Sequence, residues 1–120
     1  MAAPLQLNGK ALDGHVNRRI LNTGLALAME FGEHWLQPIQ TRLAVKFRSL
    51  SSADLDAYNS ICREAMLFGH QQVVVTIPKA KDNPGMHYDR FRAAVLIKYP
   101  WITKKNLGSL FSQGCYYAMK

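Results

Sequence analysis

Residues 51–72, SSADLDAYNSICREAMLFGHQQ, decide the fold. Ser51 and Asp54 have the spacing of a capping box. In that arrangement the serine hydroxyl accepts from the Asp54 backbone N–H, and the carboxylate reaches back to the N–H of Ser51. Leu50 and Leu55 occupy the two positions of a hydrophobic staple across the box. Behind this start Tyr58, Ile61, Cys62, Ala65, Phe68 and Gly69 recur at helical spacing. Asp56, Asn59, Ser60, Arg63 and Glu64 take the opposite side. The stretch reads as one helix from 51 to about 72.

The same period continues upstream. Val16, Ile20, Leu27 and Phe31 step along a helix over 14–31, and Leu21, Leu25, Ala28 and Met29 widen the stripe until it is apolar nearly all round. Gly32 supplies a left-handed stop. Such a helix belongs at the centre of a domain. Pro38 then fits the first turn of a second helix, with Ile39, Leu43 and Phe47 on one face and Gln40, Arg42, Lys46 and Arg48 on the polar side.

Downstream, residues 73–77 (VVVTI) favour strand, but no second run exists to pair with them. A frayed helix end or an extended connector leaves fewer backbone groups unsatisfied. The turn-rich segment 78–85 follows, carrying Lys79 and Lys81. A helix over 86–98 places Tyr88, Phe91, Ala94, Val95 and Tyr99 inward and ends at Pro100. Thr103 caps a last helix, about 103–119, whose inward stripe is Leu107, Leu110, Phe111, Gly114 and Ala118. The expected fold is all-α, a single compact bundle of about five helices around a central apolar first helix. Residues 1–12 read as a loose arm and 13–120 as one helical domain.

Composition narrows the function. With 120 residues, 48% hydrophobic and 19% charged, the chain is neither collagen-like nor disordered. Fifteen Lys and Arg against eight Asp and Glu give a formal +7, which attracts acidic proteins and nucleic acid alike. Cys62 and Cys115 are too few for a disulfide framework and lack metal spacing, so they read as thiols in a reducing compartment. Arg18 and Arg19 ahead of an apolar run look like a signal peptide, but Asn22, Thr23 and Gly24 interrupt the run. No stretch approaches the roughly 18 apolar residues that span a bilayer. The expectation is a cytoplasmic protein with no membrane association.

Catalytic signatures are sparse. Glu30 and His34 are four apart, but Gly32 breaks the helix between them and no second carboxylate–histidine pair matches. Cys62 and His70, eight apart on one helix, are about 12 Å from each other along its axis, too far for nucleophile and base. No nucleophile elbow, phosphate loop or dinucleotide fingerprint is present, and no cofactor is expected. A small thiol or histidine enzyme ranks third among the readings.

The C-terminal helix pair has the outline of a helix-turn-helix. Lys104, Lys105, Ser109, Ser112, Gln113 and Tyr116 are expected to face outward from its second helix, with Arg90, Arg92 and Lys98 on the first. Arg90, Arg92, Lys98, Lys104, Lys105 and Gln113 are therefore the candidate residues for gripping a partner or phosphates. Trp101, in the turn, is the aromatic expected at the surface. The leading expectation is a small non-catalytic interaction domain, an adaptor or small subunit, for an acidic protein partner. A nucleic-acid binder is the alternative, and the apolar excess leaves a homodimer interface open. No motif set assigns the sequence to a family.

Overall fold

The computed structural model describes residues 6–7, 10–11, 17–30, 37–78, 81, 83 and 85–118. It divides into two compact units, Met1–Glu64 and Ala65–Lys120. The fold is all-α, with five helices among the described residues. Within the N-terminal arm, β1 (Gln6–Leu7) and β2 (Lys10–Ala11) form a two-residue antiparallel pair in which Gln6 faces Ala11 and Leu7 faces Lys10.

In the first unit, α1 spans Arg18–Ala28 and starts four residues later than its apolar pattern. The cause is a cap: the side-chain oxygen of Asn17 accepts from the backbone of Arg19 (2.8 Å) and Ile20 (3.1 Å). Asn17 also donates its own N–H to the Tyr58 hydroxyl at 3.2 Å. Ile20, Leu21, Gly24, Leu25, Leu27 and Ala28 are buried, so α1 supplies much of this unit's core. Its expected flanks Val16, Phe31 and Gly32 lie outside the described residues, as do His34 and Trp35.

The second helix, α2, spans Gln40–Lys46. Pro38 therefore precedes the helix instead of sitting in its first turn. The N–H of Ile39 is satisfied by Asn59, whose Oδ1 accepts it at 3.0 Å. Asn59 is thus used as a cap on a neighbouring helix, not turned outward as its spacing suggests.

The long helix α3 covers Ser52–Val75. The capping box forms as expected, with Asp54 N–H on Ser51 Oγ at 3.1 Å and Ser51 N–H on Asp54 Oδ2 at 3.4 Å. Helix α3 meets α1 at Gly24, where a Cβ would stand 2.8 Å from the Cys62 sulfur. That sulfur donates to the carbonyl of Leu21 at 3.3 Å. The β-favouring residues 73–75 stay helical, and the helix satisfies their backbone internally. Thr76 ends the helix by returning its hydroxyl to the carbonyl of Gln72 at 2.6 Å.

The second unit contains the last turns of α3 with α4 (Met86–Lys98) and α5 (Lys104–Ala118). Two glycines bring α3 against α5. Gly69 accommodates the Leu110 side chain, and Gly114 accommodates Val73. Phe111 is the hub between α4 and α5, with ring centroids of His87, Tyr88 and Phe91 at 5.0, 5.1 and 5.1 Å. His87 also donates Nε2–H to the carbonyl of Val73 at 2.8 Å, tying the start of α4 to the end of α3.

The bounds of α4 are those its sequence predicts. Thr103 caps α5 by accepting from Asn106 N–H at 3.2 Å. Ala118, expected inward, is exposed, because the buried stripe of α5 ends at Gly114. Trp101, expected at the surface, is buried. The turn closes with Ile102 N–H on the Tyr99 carbonyl at 3.2 Å and sets the Trp101 ring edge-on to Tyr99, with centroids 6.1 Å apart.

Candidate functional site

The units differ sharply in charge. Met1–Glu64 carries seven Lys and Arg against six Asp and Glu, whereas Ala65–Lys120 carries eight against two, a formal +6. The basic residues are shared almost equally between the units; the acidic ones fall mostly in the first, so the net positive charge is concentrated in the second. Exposed large apolar side chains follow the same division. Among the described residues the first unit exposes Val45. The second exposes Leu67, Val74, Val75 and Ile77 around the end of α3, Met86 and Ile97 on α4, and Tyr116 on α5.

Five of the six candidate residues are accessible to some degree. Arg92, Lys98, Lys104 and Lys105 are exposed and Arg90 is half-buried. Lys98 extends its ammonium over the Phe68 ring, 4.7 Å from the centroid, and lies 5.5 Å from that of Tyr99. Lys104 and Lys105 share the first turn of α5, which contains no acidic residue. Cations are disfavoured there, because the helix dipole already presents positive charge at its N-terminus. The sixth residue, Gln113, does not face outward. It is 4% exposed, and its Oε1 accepts from His70 Nε2 at 2.8 Å. Helical spacing put Gln113 among the polar residues of α5, but His70 on α3 gives it an inward partner. The solvent line of α5 is then Lys105, Ser109, Ser112 and Tyr116.

The groups that would serve a thiol or histidine enzyme are set otherwise. Burial pushes the Cys62 thiol up to about 12, and it pushes Cys115 up as well. A nucleophilic cysteine needs the opposite shift. Burial lowers the pKa of His70, while the hydrogen bond to Gln113 acts against that. Among the described residues no three His, Cys, Asp or Glu side chains gather as a metal site requires. In the first unit an open depression of about 500 Å³ is lined by Gln40, Thr41, Ala44, Val45, Arg48 and Leu55. Gln40 donates its amide nitrogen to Asp56 at 3.1 Å, and Thr41 and Arg48 add polar groups beside Ala44, Val45 and Leu55.

Among the described residues no helix is long and apolar enough to cross a membrane. No protein-family profile, curated protein or solved structure matches the chain.

Proposed function

We propose that the chain is a small non-catalytic interaction domain whose basic C-terminal unit receives an acidic protein partner. The observation that carries this reading is the coincidence, on Ala65–Lys120, of a formal +6 with most of the large apolar side chains exposed among the described residues. Nucleic-acid surfaces are contacted chiefly through phosphates, and their interfaces are polar and strongly positive. Exposed Ile, Val and Leu add little there. Protein interfaces combine an apolar centre with a charged rim, and complementary charge sets on-rate and specificity. Lys104 and Lys105 support the reading too, since their place at the start of α5 costs helix stability and gains an anion-attracting end. Both cysteines are free thiols, which suits a reducing cytoplasm.

A second reading rests on α5, where Lys105, Ser109, Ser112 and Tyr116 form one polar line in a helix-turn-helix-like pair. The two separate in a single assay. Fluorescence anisotropy with an oligoglutamate peptide, a random-sequence duplex and a single strand is run at low and at moderate salt. The protein-partner reading expects the peptide to bind, and Lys104→Glu with Lys105→Glu to weaken it. Tight duplex binding that falls steeply with salt, with no peptide binding, would favour the second reading.

A further inference from the structure

We infer that the solvent side of α4 is a docking face for an amphipathic helix with acidic borders. The inference rests on the proposed function and names its site and its class of partner. Phe91 and Val95 of α4 are fully buried on one side. An ordinary surface helix would be polar on the other. Here Met86, Ala93 and Ile97, spaced seven and four apart, fall on one line of the outer face, and Ile97 is 84% exposed. Arg90 borders that line on one side; on the other Asp89 stands next to it, with Arg92 beyond. The result is a narrow apolar track edged by two guanidinium groups and one carboxylate, in a unit with eight cations and two acids.

Charge selects the occupant. A second copy of the chain laid on the track would oppose two units of formal +6, which like-charge repulsion disfavours. A nucleic acid would meet the arginines but leave Ile97 without a use. A helix carrying leucine-like residues at intervals of three and four fits the track, and Asp or Glu beside them fits the arginine borders.

The test uses a labelled designed peptide of about 18 residues, with Leu on one face and Glu on the other, against the full chain. A scrambled peptide of the same composition and a Leu/Lys version are the controls. The expected result is binding of the Leu/Glu helix, with both controls weaker by roughly tenfold or more. Ile97→Ser should weaken the Leu/Glu helix by roughly tenfold, and Arg92→Glu should weaken it as well. Because Ile97 is exposed, its substitution spares the core, which an unchanged circular dichroism spectrum and melting curve would verify. Should Ile97→Ser bind normally while Lys104→Glu with Lys105→Glu abolishes binding, the α4 docking face is wrong and the basic-unit reading stands. If neither the Leu/Glu helix nor oligoglutamate binds the wild-type chain, both fall. Self-association that Ile97→Ser removes, or duplex competing off the peptide without regard to Ile97, would also overturn the α4 docking face.

Discussion

A Cβ placed on Gly114 would stand 2.5 Å from Cγ2 of Val73, closer than two carbon atoms approach, so α3 and α5 touch nearly backbone to side chain. Gly114→Ala gains helix propensity of about 1 kcal/mol. It also overpacks a β-branched neighbour that has few rotamers to retreat into, at a cost of about 1–3 kcal/mol. The clash outweighs the propensity, and urea denaturation should show net destabilisation. Val73→Ala in the same chain should recover part of the loss, a non-additivity that neither change alone explains. Gly108, with open space where its Cβ would be, is the internal control. There, Ala should stabilise by about 0.5–1 kcal/mol.

Arg42 should prove the most sensitive charged residue of the first unit. Its guanidinium donates to the carbonyls of Leu27 (2.9 Å), Gln37 (3.2 Å) and Pro38 (3.4 Å) and pairs with Glu30. The side chain is 17% exposed, so these carbonyls lose their donor when it goes. Arg42→Lys keeps the charge but not the fork, and should cost about 1–3 kcal/mol in thermal or chemical unfolding. Glu30 is 44% exposed, and Glu30→Gln should cost less than about 1 kcal/mol.

How much of this was legible in the sequence depends on how local the cause is. The Ser51–Asp54 box and the bounds of α4 are set by residues within a turn of the helix end, and both could be read directly. Asn17 was missed because its cap lies inside an apolar pattern that runs from Val16 to Ile20 across it. Gln113 and Trp101 were misplaced because their surroundings come from His70, 43 residues away, and from a turn that folds back on Tyr99. The concentration of net charge was missed because it shows only when the acidic residues are counted on either side of the boundary between the units. The boundary between the units falls within α3, a continuous helix with no break to mark it.

Stability should fall at high pH through Cys62. Its folded pKa of about 12 lies above the ordinary value of 9.0, so the native state holds the proton after the unfolded chain has released it. The contribution is complete below pH 9 and lost progressively from there toward pH 12. Tyrosines and lysines titrate in the same range, so the measure is a difference. Wild type should lose more stability than Cys62→Ala between pH 8 and pH 11, about 1–3 kcal/mol by denaturant titration. Equal slopes would mean the thiol reaches solvent.

His70 works in the other direction. Its folded pKa is below 6.5, so its contribution is present above that value and declines as pH falls through it. An NMR titration should place the His70 ring below the unfolded value. Gln113→Leu removes the hydrogen bond that favours protonation and should move the ring lower still. A His70 titrating above 6.5 would contradict the burial described for it.

Cys62 belongs to the first unit and Cys115 to the second, so the chain carries one native thiol reporter in each. Cys62 has no exposed surface and holds its proton tightly, and can be alkylated only when its unit opens. Cys115 is half-covered and reports on the second unit's last helix. Mass spectrometry of the two alkylated peptides over time would give an opening rate for each unit without any introduced label. A ligand of the basic unit alone would then slow labelling at Cys115 ahead of any change at Cys62.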